Sequence, residues 1–145
     1  MITLANEEQA LTQFIDGVAN FGLCFGLALV FFIVFKFVYV MVTPQDEWKL
    51  IKEEKNTAAA ISLGGALVGY SIAIASAASN SLGVTDFVMW GIVALLAQIA
   101  GFFMVRLFMM PKIVSRIENN EIPAAVVLAA VSISIGLLNA ACMTY

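Results

Sequence analysis

The sequence predicts an all-α polytopic membrane protein. It has four transmembrane helices, set out as two parallel two-helix repeats with both termini on the outer side. Three observations lead there. Of 145 residues, 62% are hydrophobic and 12% charged, about half the charged share of an ordinary soluble domain. Four apolar runs, at about 18–42, 57–79, 87–110 and 122–145, each supply the roughly 20 residues that span a bilayer's hydrocarbon. All seven cations fall between residues 36 and 116, and the formal charge of −3 is therefore distributed very unevenly. Few residues lie outside the runs, so 1–145 reads as a single transmembrane domain.

The opening "MITLANEEQALTQFIDG" lacks Lys and Arg, which argues against a secretory or transit peptide and for retention of the first span. That span carries Gly22 and Gly26 early and the bulky "FFIVFKFVY" late. In the loop that follows, Asp46 is placed to N-cap a short surface helix carrying Trp48, Leu50 and Ile51. The charges of "IKEEKN" then give way directly to the second span, where Gly65, Gly69, Ala73 and Ala77 recur every four residues. A short "NSLGVTD" connects to a third span ending in "GFFMVRLFMM". The loop at 111–121 leads to a fourth span, with Pro123 at its start and the stripe Ser132, Gly136 and Ala140.

Lys36, Lys49, Lys52, Lys55, Arg106, Lys112 and Arg116 lie in or just before the two loops after spans one and three. Loops rich in Lys and Arg stay cytoplasmic, so both long loops are expected inside and both termini outside. Lys36 and Arg106 fall within spans near those loops, where long stems carry the charge to the interface, and Trp48 suits the headgroup level. These are the expected interface anchors. Lys49, Lys52, Lys55, Lys112 and Arg116 form either a solvated face or the contact surface for a cytosolic partner.

The second hairpin echoes the first. Ile51, Ala58, Ala59 and Ile61 align with Ile117, Ala124, Ala125 and Val127, while Asp16 precedes Lys36 by the same twenty residues that separate Asp86 from Arg106. The repeats would cover about 16–79 and 86–145. A two-span unit returns to its starting side, so its copies are parallel.

Lipid is as apolar as leucine, and helices associate in it through close contact and interhelical hydrogen bonds. The small-residue stripes serve either packing within the chain or a subunit interface. As internal packing they place spans two and four inside, backbone to backbone, with spans one and three presenting aromatics to lipid or to other subunits. Gln98 falls near the midplane, level with Ser71, and Asn20 and Asn139 fall in the outer third. Buried amides at such depths serve as packing glue or line a polar path. Ser62, Ser71, Ser76, Ser132 and Ser134 are expected to bond back to their own helices. Cys24 and Cys142 read as small buried hydrophobes, their pairing open.

Enzymatic chemistry has little footing. The chain has no histidine, which removes imidazole bases and His-ligated metals. No carboxylate lies inside a span, and no phosphate loop or nucleophile elbow is present. The methionines read as packing. A non-enzymatic protein is expected, with no cofactor, no metal and no nucleic-acid partner.

The segments "WKLIKEEKNTAAAISLGGALVGYSIAIASA", "DFVMWGIVALLAQI" and "GLLNAACMTY" resemble the YjfL-like bacterial inner-membrane family, catalogued as domain of unknown function 350. The specific marks are Asn56 with its following alanines, Gly64 and Gly65, Trp90, Gln98 and the run 136–145. One departure is "EEKN", where a glycine is expected before the asparagine. The resemblance implies a four-helix protein of a Gram-negative cytoplasmic membrane. It also implies a genomic neighbourhood of phage-shock-type coat proteins and ATP-grasp enzymes, hence envelope maintenance. Two expectations follow: a membrane component that engages a cytosolic or membrane partner through its loops, or a subunit of a homo-oligomeric channel or small-solute transporter.

Overall fold

A computed structural model describes residues 2–143, with side chains from residue 6 onward. It is all-helical. The long helices are α1 (Ile2–Val42), α3 (Thr57–Asn80), α4 (Val84–Met104) and α6 (Ile122–Cys142), and the short ones α2 (Glu47–Lys52) and α5 (Ile113–Glu118) lie in the two loops. All four long helices are long and apolar enough to cross a membrane. The helix ends follow local chemistry. Asp46 caps α2 by accepting the Lys49 N–H at 3.1 Å, Asn56 caps α3, and Pro123 occupies the first turn of α6, where no N–H is needed. Thr144 and Tyr145, at the end of the expected fourth span, lie outside the described residues.

α3 is the hub and touches every other helix. Its Gly65, Gly69, Ala73 and Ala77 are all buried, and the first two meet α6 backbone to backbone. A β-carbon on Gly65 would collide with Ala129, one on Gly69 with the Ser132 carbonyl, and one on Gly136 with the Gly69 carbonyl. Ser132 and Gly136 are buried and Ala140 is half-buried. The α6 stripe is narrow, however, and Val126, Val127, Leu137 and Leu138 are exposed. Thus α6 is the close partner of the hub but not a buried helix.

Two expectations are corrected. The bulky helices do not turn all their aromatics outward. Phe35 stacks on Tyr70 at 4.3 Å, Tyr39 meets Phe102 edge-on at 5.9 Å, and Phe31 lies 5.9 Å from Phe87. Gly91 makes room for the Phe31 ring, which a β-carbon there would approach to 2.7 Å. In addition, Gly22 and Gly26 pack against nothing within the chain, since a β-carbon at either would meet open space. Helix α1 is held only along its later half, and every side chain from 6 to 23 is exposed. It begins well before the expected span and is roughly 60 Å long at 1.5 Å per residue.

The third span also ends differently from a plain helix. After Met104 the chain widens into a π-turn, Val105–Met109, closed by Met110 N–H to the Val105 carbonyl at 2.7 Å. Pro111 follows, and Met110 is extended at φ −142°, as a residue before proline prefers.

Gly136→Ala should destabilise the bundle by about 1–3 kcal/mol, the usual cost of overpacking a tight contact. Gly64→Ala, whose added methyl meets open space, should be neutral or stabilising. Thermal unfolding of both variants in detergent checks the contrast.

Candidate functional site

Both charged loops lie at one end of the bundle, and two asparagines lock them together. The Asn56 side chain, 4% exposed, accepts the Ala59 N–H at 2.8 Å and donates to the carbonyls of Ile117 and Glu118 at 2.8 and 3.2 Å. In return the Asn120 side-chain oxygen accepts the Ala58 N–H at 2.9 Å. The first loop thus ends the short helix of the second, and the second caps the span that follows the first. Each loop turns on a left-handed residue, Lys55 at φ 51° and Asn120 at φ 58°. Asparagine tolerates that region, whereas lysine there costs roughly 1–2 kcal/mol. The departure at "EEKN" therefore leaves the turn intact, with Lys55 adopting the conformation that glycine would take freely.

Beneath α2 lies a polar shell that the sequence did not announce. Glu47, read as part of a charged loop, is fully buried, together with Gln45, Thr43 and Tyr39. Gln45 donates its amide N–H to Glu47 Oε1 at 3.1 Å, and Thr43 donates to the Tyr39 carbonyl at 2.9 Å. Burial pushes the Glu47 carboxyl up to about 8; the Asp46 charge adds to the rise, and hydrogen bonds from Gln45 and Thr43 oppose it. Glu47 Oε2 and Gln45 Oε1 have no partner among the described residues. A proton on the carboxyl supplies a donor to this acceptor-rich shell.

Of the loop cations, Lys49, Lys52, Lys55 and Lys112 are exposed. Arg116 is engaged, pairing with Glu121 at 2.6 Å and reaching the Met110 sulfur at 3.2 Å. Lys36 lies over Trp48, 4.4 Å from the ring centre, and Lys52 lies 4.9 Å from the same ring. Arg106 is half-buried within the π-turn.

The polar residues within the long apolar helices do not share one environment. Gln98, 2% exposed, donates to the Ser132 carbonyl at 2.8 Å beside Gly69, so it ties α4 to the α3–α6 contact. Ser71 is exposed and bonds back to Leu67 at 2.8 Å. Asn20 is exposed rather than turned inward, and Asn139 is half-buried, its amide nitrogen without a partner among the described residues. Ser62 and Ser134 bond back as expected, but Ser76 instead crosses to the Ala140 carbonyl at 3.0 Å. Both cysteines are free, and neither is buried: Cys24 is half-exposed and Cys142 exposed. An apolar cleft of about 500 Å³ opens between α1 and α3, lined by Phe25, Phe32, Tyr70 and Ile74 among others. Among the described residues no group of three His, Cys, Asp or Glu side chains is placed to hold a metal.

Four apolar helices around a small-residue hub, with polar chemistry gathered in loops at one end, define a multi-pass helical membrane protein. The chain belongs to the family described as Domain of Unknown Function (DUF350), whose model matches residues 13–143. It is 37% identical over 131 residues to the UPF0719 inner membrane protein YjfL of Escherichia coli K12, covering 90% of this chain and 98% of that one. The protein of the same name from Escherichia coli O157:H7 matches equally. No solved structure matches the chain.

Lys55→Gly should stabilise the loop by about 1 kcal/mol by relieving the left-handed lysine. Asn56→Ala should cost at least the ~1 kcal/mol of a lost cap, and hydrogen exchange should show both loops opening together. Glu47 sets a pH dependence. Its ordinary value is near 4.5, so from there up to about 8 the closed loop keeps a proton that the opened loop releases. Stability should then fall as pH rises through this window, by up to a few kcal/mol at about 1.4 kcal/mol per unit, and level off above it. Melting from pH 5 to 9 should show this decline in the wild type and a nearly flat profile in Glu47→Gln.

Proposed function

We propose that this chain is a non-enzymatic scaffold of the bacterial inner membrane that serves envelope maintenance by holding a partner at its paired loops. Its two hairpins act as parallel repeats, each with a six-residue loop helix and a buried alanine pair opening the second span. With the positively charged loops in the cytoplasm, both termini are periplasmic. The relatives' printed names support the inner membrane as the setting. The observation that carries the reading is the asparagine lock. It fuses two loops more than 60 residues apart in sequence into one rigid surface of mixed charge, where Lys49, Lys52, Lys55 and Lys112 stand exposed among Asp46, Glu53, Glu54 and Glu118. A rigid charged surface suits docking because little order is lost on binding. The partner proposed is a cytosolic coat protein of phage-shock type, held through the exposed lysines of both loops.

The variant Lys49→Gln/Lys55→Asn/Lys112→Gln tests this. Its co-purification with cytosolic partners should fall at least ten-fold while its melting temperature stays unchanged. Cysteine accessibility must show the wild-type orientation, because removing loop cations can invert a membrane protein. Undiminished capture with correct orientation would overturn the proposal.

A second reading, a subunit of a homo-oligomeric channel or small-solute transporter, draws support from α1. Its unpacked outer half leaves Gly22, Gly26 and Asn20 uncovered, a surface suited to a second copy. A pore must then run between subunits, since Gly69 and Gly136 touch inside each one. Native mass spectrometry decides the point: four or more copies in a ring are required, and a monomer or dimer removes this reading.

A further inference from the structure

Lys36 lies six residues before the end of α1, about 9 Å along the axis at 1.5 Å per residue. Its ammonium nonetheless reaches the loop level, 4.4 Å from the centre of the Trp48 ring and 4.5 Å from that of Phe37. Lys52, one turn beyond Trp48 on α2, brings a second ammonium to 4.9 Å from the same indole. The ring attracts each cation, but the two cations repel one another. Neither has an ion-pair partner among the described residues, where the ion pair found is Arg116–Glu121. The acids of the same loop do not pair with them: Glu47 is buried with Gln45, Asp46 caps α2, and the exposed Glu53 and Glu54 form no ion pair among the described residues. Two cations converging on one interfacial indole call for an anion from outside the chain.

We propose that Lys36, Trp48 and Lys52 form a binding site for the headgroup phosphate of an anionic phospholipid. The phosphate oxygens accept hydrogen bonds from both ammonium groups and screen their repulsion. The ligand is a lipid rather than a free anion because the site is rooted in a span. Lys36 rises out of the apolar part of α1, and Phe37 and Met41, 58% and 84% exposed, offer adjacent surface to acyl chains. The headgroup is anionic rather than zwitterionic because ethanolamine would bring a third cation to the ring. Phosphatidylglycerol and cardiolipin carry no such charge. The site requires only that the helices span a bilayer, and is independent of which side the loops face and of any protein partner.

Native mass spectrometry of the full chain titrated with phosphatidylglycerol tests the site, with phosphatidylethanolamine and inorganic phosphate as alternative probes. The wild type should retain phosphatidylglycerol at least ten-fold more tightly than phosphatidylethanolamine, and millimolar phosphate should leave it bound. Lys36→Gln/Lys52→Gln should lose that preference, whereas Lys49→Gln/Lys112→Gln, with the same change in charge, should keep it. Three results would overturn the proposal: an unaltered Lys36→Gln/Lys52→Gln variant, an equal loss in the control pair, or displacement by phosphate, which would mark a free-anion site. If the first variant fails to fold, quenching in the Trp90→Phe chain decides. Brominated-chain phosphatidylglycerol should quench Trp48 more than brominated phosphatidylethanolamine does, and equal quenching would refute the site.

Discussion

Everything in this bundle depends on how closely α3 and α6 approach. In lipid no hydrophobic force draws two apolar helices together, so contact must be won by van der Waals fit and by hydrogen bonds across the seam. Gly65, Gly69 and Gly136 remove the side chains that would hold the backbones apart. Once the backbones touch, the Ser132 carbonyl comes within reach of Gln98, and α4 is added by one directed bond. Tyr70 then reaches the Gly91 carbonyl at 3.1 Å and takes the stack of Phe35, which fixes the later half of α1. The order of dependence runs from glycine to glutamine to aromatic layer.

Much of this was legible in the sequence because it follows simple periods. Small residues every four positions trace one face of a helix, and an apolar run of about 20 residues has one plausible fate in a cell. The cap at Asp46 was equally readable, being a matter of spacing. Facing was harder to read. Helix α1 is apolar all round, so nothing in its pattern distinguishes the side carrying Phe35 and Tyr39 from the side carrying Phe37 and Met41. The same blindness let Gly22 and Gly26 pass for packing residues and Cys142 for a buried one. The glycines that seat Phe31 and Ile135, Gly91 and Gly101, belong to no regular stripe and went unnoticed.

The loop end shows a different limit. Glu47 stands among Asp46, Lys49, Lys52, Glu53 and Glu54, and by composition it belongs to a solvated run. Only the fold, which packs α2 against α3, puts it under cover with Gln45 and Tyr39. The lock between Asn56 and Asn120 joins residues 64 apart, and no local pattern encodes such a pairing. Asn56 was noticed as a mark of family resemblance, whereas its physical role is to cap one helix while ending another. Polar residues that act between loops, rather than within one element, lie beyond what periodicity can express.

The length of α1 has a mechanical consequence. From Ile2 to Asp16 it climbs roughly 20 Å at 1.5 Å per residue, and its described side chains there, Glu7, Glu8, Gln9, Thr12 and Gln13 among them, are all exposed. That stretch stands as a stiff mast anchored through Phe31, Phe35 and Tyr39. Whatever grips its tip is held at a set distance from that aromatic layer. A sideways pull there bears on the aromatic layer through a lever arm longer than the hydrocarbon is thick.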